Sequence, residues 1–161
     1  MTKILLVQGA NLTFLGRREP DIYGTTTPAE LDAKLQCHAQ GHGYHLDIFY
    51  TNVEGEAITW IYEAERQGFD GLLFNPAGFL YAGFALRDCL RSLRMPAIEI
   101  HLTNIDRRGM RSVTAEAAVG MVSGFHTDSY LVAIDAMLRH LGRYPREQGT
   151  DQSRAAPDNP A

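Results

Sequence analysis

Lysine, cysteine and tryptophan are all scarce in this chain. Lys3 and Lys34 are its only lysines. A Schiff base needs a desolvated lysine, yet Lys3 precedes the first apolar run and Lys34 falls on the polar side of a predicted helix, so imine chemistry is nearly excluded. Cys37 and Cys89 lie far apart, each in a predicted helix and without metal or redox spacing. They read as buried thiols of a cytoplasmic protein. The sequence shows no Cys/His cluster and no histidine pair at ligand spacing, so no metal is expected. No GxGxxG or Walker loop follows a predicted strand, which argues against a nucleotide held by a glycine fingerprint. No run approaches transmembrane length, and the N-terminal run is too short for a signal-peptide core. A net charge of -4 gives no basic surface for nucleic acid or an acidic membrane.

What is present is a chain of 161 residues, 45% hydrophobic, enough for one domain with a proper core. It is organised around Ile4-Leu5-Leu6-Val7-Gln8-Gly9-Ala10-Asn11. An apolar run without alternation reads as a strand buried on both faces. The stretch from Leu12 to Gly24 follows, with Arg17, Arg18 and Tyr23 punctuated by glycine and proline, and loops of this length usually have a function. Thr27-Pro28-Ala29-Glu30 reads as a capping box opening a helix to Gly41 or Gly43, with Leu31, Leu35 and His38 on one face. Further strands are expected at Tyr44 to Tyr50, Gly71 to Pro76, Ala97 to Leu102 and Val119 to Phe125. Helices are expected from Gly55 to Gln67, Tyr81 to Leu93 and Asp128 to His140. Ile58, Ile61, Tyr62 and Glu65 mark one face of the second of these four helices. From Thr103 to about Ala117 a second polar loop carries Arg107, Arg108 and Arg111. Residues 1–141 thus form one domain, and 142–161 read as a polar, disordered tail. Five strands alternating with helices predict a flavodoxin-like α/β fold, a parallel sheet in the order 2-1-3-4-5 covered on both faces.

Ligands of such sheets bind beyond the carboxyl ends of the strands, near the reversal of strand order. Asn11, Asn52, Asn75 and His101 stand at four such exits. Glu99 and His101, two apart on a strand, share a face. A carboxylate beside an imidazole favours the imidazolium and so prepares a general acid; the alternative is a structural ion pair. Arg18 and Tyr23 form a second pair. A free phenol ionises near pH 10, about one part in a thousand being phenolate at neutral pH, and a guanidinium beside it favours the anion. Such a phenolate could take a proton from carbon next to a carbonyl, or the pair could simply cover a neighbouring subunit. His38, His42, His45 and His140 fall on helix or loop surfaces, and His126 lies near the fifth strand exit.

Gly9-Ala10-Asn11-Leu12, Leu15-Gly16-Arg17-Arg18-Glu19-Pro20-Asp21-Ile22-Tyr23-Gly24, Asn52-Val53-Glu54-Gly55-Glu56, Asn75-Pro76, Ala85-Leu86-Arg87-Asp88 and Glu99-Ile100-His101-Leu102-Thr103-Asn104 together resemble the type II 3-dehydroquinate dehydratases, in the family's order and spacing. The likeness resumes at Gly124-Phe125 and the last helix. It implies a lyase without cofactor that eliminates water from 3-dehydroquinate through an enolate, giving 3-dehydroshikimate, in the shikimate pathway of aromatic amino acid biosynthesis or in quinate breakdown. On that likeness Tyr23 is the base, Arg18 keeps it ionised, and His101, paired with Glu99, protonates the departing hydroxyl. Asn11 and Asn75 organise the enolate's water or bind substrate. Leu102 and Thr103 match the carboxylate site, and Asp88 matches a position at a subunit contact. The likeness further implies a small cyclic carboxylate as substrate and a homo-oligomer of trimers assembled into a dodecamer.

The chain departs from the family pattern in three places. Ala10 stands where proline is usual. Phe79-Leu80-Tyr81-Ala82-Gly83 replaces a Tyr-Thr-His-Thr-Ser segment, so Tyr81 stands for a substrate-binding histidine. The loop from Asp106 to Ala118 is shorter and lacks a Phe-Arg-His-His-Ser run, leaving Arg111, or alternatively Arg108, as the clamp on a substrate hydroxyl. Two other readings follow: a paralogue dehydrating or isomerising a related cyclic hydroxy-ketone acid, and a non-catalytic flavodoxin-like subunit.

Overall fold

The structure, a computed structural model, describes residues 1–144. Five strands, β1 (Lys3–Ala10), β2 (His45–Tyr50), β3 (Gly71–Ala77), β4 (Ala97–His101) and β5 (Gly120–Ser123), form one sheet in the order β2-β1-β3-β4-β5. Every pairing is parallel. Helices α1 (Pro20–Tyr23), α2 (Pro28–His42), α3 (Glu54–Arg66), α4 (Phe84–Ser92) and α5 (Asp128–His140) connect or follow them. This is the expected flavodoxin-like arrangement.

The unbroken apolar run of β1 follows from its place between two helical layers. Successive strand residues point to opposite faces, so Ile4 and Leu6 pack with Leu31 and Leu35 of α2 and with Ile134 and Met137 of α5. Leu5 and Val7 pack on the other side, with Ala57 and Ile61 of α3 and Leu86 and Leu90 of α4. In β4, Ile98 and Ile100 take the α5 side, whereas Glu99 and His101 share the opposite face with Ala97.

The helices follow their local signals with a few corrections. The capping box is formed: the Glu30 amide donates to Thr27 Oγ1 while Glu30 Oε2 accepts from the Thr27 amide. These hydrogen bonds hold the exposed Glu30 carboxyl below its usual range. On α3 the buried line is Ala57, Ile61 and Ala64 rather than Tyr62 and Glu65; Glu65 instead accepts from the amides of Arg94 and Met95. The helix expected from Tyr81 is interrupted. A 3-10 turn, Gly78–Tyr81, comes first and α4 starts at Phe84, because the Gly83 amide closes back on the Phe79 carbonyl. The four-residue α1 inside the first loop has proline at its start, a position that needs no amide proton.

Cys37 is exposed, not buried, while burial pushes the Cys89 thiol up to about 11. The sequence does hold a histidine pair on adjacent turns, contrary to expectation: His38 and His42 stack with ring centroids 3.9 Å apart. His38 faces the Tyr44 hydroxyl at 2.9 Å and Asp135 at 3.6 Å. Desolvation, then His42, hold its imidazole below the ordinary histidine range. Of the expected tail only Gly142 to Tyr144 falls within the described residues. There the Arg143 and Tyr144 amides return to the Leu138 carbonyl, finishing α5; the remainder lies outside the described residues.

Gly9 lets β1 and β3 approach closely where they enter the site. A Cβ there would overlap the Pro76 carbonyl oxygen and lie 2.8 Å from that of Asn75. Both obstacles are backbone, which cannot turn aside as a side chain can. Gly9→Ala is therefore expected to lower unfolding free energy by about 1–3 kcal/mol, as overpacking does, measured by urea denaturation. An unchanged midpoint would show that the strands have slack.

Candidate active site

The carboxyl ends of β1, β3 and β4 converge on a cleft beside the point where strand order reverses. Asn11, Leu12, Leu15, Arg18 and Tyr23 line it from the first loop; Asn75, Ala77, Gly78, Leu80 and Tyr81 from β3 and its exit; and His101, Leu102, Thr103, Ile105, Arg108 and Met110 from β4 and the following segment. Its empty space, counted to the mouth and including open solvent, is about 600 Å³. The wall combines aliphatic surface with a few polar groups, as such sites do.

His101 lines one wall, with Glu99 behind it. Their side chains are 4% and 0% exposed, and His101 Nε2 lies 2.6 Å from Glu99 Oε1. A buried carboxylate needs partners for both oxygens, and the second, Oε2, accepts from the Thr114 hydroxyl at 2.7 Å. With Nε2 directed at Glu99, Nδ1 is the ring nitrogen left to serve the cleft. While Nε2 donates to Glu99, Nδ1 carries a proton only in the imidazolium.

Tyr23 forms the other wall, flanked by two guanidinium groups. Arg108 Nη1 donates to the Tyr23 hydroxyl at 3.1 Å and to Thr103 Oγ1 at 3.0 Å, and its guanidinium carbon lies 5.4 Å from the ring centroid. Arg18 lies over the same ring, 5.5 Å from the centroid, with its Nε 3.4 Å from Glu19. Arg108 thus touches the phenol oxygen, and Arg18 adds charge over the ring. One cation therefore meets the hydroxyl and the other the ring.

The asparagines are held in place. The Asn11 amide donates to Asn52 Oδ1 at 2.7 Å, so Asn52 supports the loop and is not itself among the cleft-lining residues. Asn11 takes φ 71° and Ala77 φ 46°; for alanine this is strain of a kind that gathers at functional sites. Asn75 Oδ1 accepts from the Ala77 amide, and Asn75 Nδ2 donates to Tyr130 Oη at 2.9 Å. The Tyr130 hydroxyl in turn donates to Gln8 Oε1 at 2.8 Å. Desolvation pushes the Tyr130 phenol up to about 12, so it stays a neutral link.

Not every expected residue reaches the cleft. Arg111 is exposed and outside the lining, whereas Arg108 lines the cleft. Asp88 is exposed on α4, pairing with Arg87 at 3.2 Å and Arg91 at 4.0 Å. His126 is outside the lining and takes φ 49° at the turn into α5. Tyr81 does line the cleft and is 64% exposed. Thr114, Tyr130 and Gln8 escaped the sequence reading. Gln8 had a signal, a lone carboxamide in an apolar strand, whereas Thr114 lay in a polar loop without periodicity.

A strand-exit cleft bearing an arginine-flanked phenol opposite an imidazole–carboxylate pair places the protein among α/β proteins equipped for proton transfer on a small molecule. Residues 2–138 match the family Dehydroquinase class II. The chain is 39% identical over 146 residues to the 3-dehydroquinate dehydratase of Clostridium botulinum, covering 89% of this chain and 99% of that one. It is 40% identical over 151 residues to that of Teredinibacter turnerae, covering 92% and 98%. The crystal structure of the type II dehydroquinase from Butyrivibrio crossotus superposes with a TM-score of 0.82 at 32% identity, over 84% of this chain and 97% of that one. The chain belongs to the class II dehydroquinase family.

Proposed function

We propose that the protein is a type II 3-dehydroquinate dehydratase, eliminating water from 3-dehydroquinate through an enolate to give 3-dehydroshikimate. The observation that carries this reading is the Tyr23 hydroxyl, bonded by Arg108 at 3.1 Å, in the same cleft as His101, which Glu99 backs.

In this reading Tyr23, as phenolate, removes the proton next to the ketone, and the electron pair of that C–H bond becomes the enolate. Arg108 and Arg18 stabilise the phenolate before the transfer. Asn11 and Asn75 present their carboxamides to the enolate oxygen or its water, that of Asn75 held by Tyr130 and the Ala77 amide. As the enolate collapses, the C–O bond to the hydroxyl breaks and His101 supplies the proton that makes it water. The phenol and the neutral imidazole then return to their starting states by proton exchange with solvent. Thr103 and the backbone at Leu102 take the substrate carboxylate. Tyr81 offers a hydroxyl to the ring from the open side of the cleft.

The long reach and exposure of Tyr81 favour a second substrate, a related cyclic hydroxy-ketone acid. Comparison of kcat/KM on the two separates them. Asp88 faces solvent in the single chain, and a role for it near the site requires a neighbouring subunit. We accordingly expect a homo-oligomer, with trimers assembled into a dodecamer, working in the cytoplasm. Exposed Val119, Met121 and Phe125 around β5 supply apolar surface for such contacts.

Tyr23→Phe should cut turnover, followed by the enone absorbance of the product, by at least about a hundredfold, the usual worth of a positioned general base, with the fold intact. Parental activity in that variant would remove Tyr23 from the reaction. Arg108→Ala should lower kcat at least tenfold, about 1.4 kcal/mol or more, while Arg111→Ala stays within about twofold of the parent. The reverse ranking would return the clamp to Arg111.

A further inference from the structure

The connection from β4 to β5 does two separate things. Near its start Arg108 binds the Tyr23 hydroxyl. Six residues on, it passes beneath the cleft, where Thr114 is 0% exposed and donates to Glu99 Oε2 at 2.7 Å. The direction of this bond is fixed by chemistry: a carboxylate only accepts, so the Thr114 proton points at Glu99. The remaining lone pairs of Thr114 then face the Ser112 hydroxyl, 3.0 Å away, which must be the donor. A directed row results, from Ser112 to Thr114 to Glu99, with His101 Nε2 donating to the other carboxylate oxygen at 2.6 Å. The row is anchored at Val113, whose amide donates to the Leu80 carbonyl at 2.9 Å, so the same short stretch ties the connection to a residue of the cleft wall.

We infer that Thr114 is the positioning residue of the proton donor: its hydroxyl keeps Glu99 a correctly turned anion, and through it His101 a cation with Nδ1 toward the substrate. The role follows from burial. A carboxylate with no access to water depends on its few donors, and His101 and Thr114 are its two side-chain partners among the described residues. Without the second donor the anion costs more, so the Nε2 proton can pass to Glu99, leaving a neutral pair whose imidazole keeps its Nδ1 proton but is a far weaker acid than the imidazolium. No other charged side chain is buried in this wall among the described residues. Arg108 is the cation on the same connection, and it is directed at Tyr23.

This inference rests on the dehydratase reading for its consequence in catalysis, though not for its effect on His101. The test compares Thr114→Val, which keeps the branched shape and removes the hydroxyl, with Thr114→Ser, which keeps the hydroxyl. His101 ring-proton titration by NMR should move to lower pH in Thr114→Val and return to the parental position in Thr114→Ser, whatever the enzyme turns over. On dehydroquinate, Thr114→Val should lose about tenfold or more in kcat with KM within about twofold, the mark of an interaction needed in the transition state. The loss in kcat should persist across the pH range, because the displaced proton stays within the Glu99–His101 pair and its loss from the pair as a whole sets the high-pH limb. Thr114→Cys, a poor donor of similar size, serves if the valine variant does not fold. A parental His101 titration in the valine or cysteine variant, or a serine variant as impaired as valine, would overturn the role and reduce Thr114 to packing. A shifted titration in a protein whose parent does not turn over dehydroquinate would leave the role standing and refute the substrate.

Discussion

The cost of a carboxylate with no water around it organises one wall of this protein. Glu99 stands in a central strand, fully buried, where an unpaired charge would be expelled or neutralised. It is retained because the imidazole of His101 meets one oxygen and the hydroxyl of Thr114 the other. That requirement fixes the ring of His101, selects which nitrogen can face a ligand, and holds the β4–β5 connection down. An isolated buried pair is weak evidence of stability. Its value here lies in orientation.

The opposite wall is built from a different material. Tyr23 belongs to a four-residue helix within a loop, and its hydroxyl is fixed from outside that loop by Arg108. The two walls therefore share a segment: one connection delivers the guanidinium to the phenol and the hydroxyl to the carboxylate. Between them the asparagines are set from behind. Asn52 holds Asn11, and Tyr130 with Gln8 turns Asn75. The sheet contributes rigidity and close approach at Gly9, and the loops contribute the reacting groups, a division common to strand-exit sites.

Much of this was legible in the residues. The doubly buried strands announced themselves as apolar runs, and the capping box marked the start of α2, because both are local patterns with a physical period. Glu99 and His101 were visible as an intrusion of charge into such a run. Their third partner was not, since Thr114 sits in an irregular segment where no spacing says which side chain turns inward. Arg108 and Arg111 were indistinguishable for the same reason; only the path of the loop sends one to Tyr23 and the other to solvent. On α3 the sequence placed Tyr62 and Glu65 on the inner face with Ile61, whereas the buried line runs through Ala57, Ile61 and Ala64. The interruption before α4 depended on the Gly83 amide returning to Phe79, a contact that periodicity does not encode.

The central claim is that proton removal and hydroxyl departure are handled by different walls of one cleft. Exchange of the substrate's α-hydrogen with deuterated solvent, followed by NMR alongside product formation, addresses it most directly. His101→Ala should still wash deuterium into 3-dehydroquinate while forming almost no product, and Tyr23→Phe should do neither. Exchange at the parental rate in Tyr23→Phe, or its loss in His101→Ala with Tyr23 intact, would contradict the division.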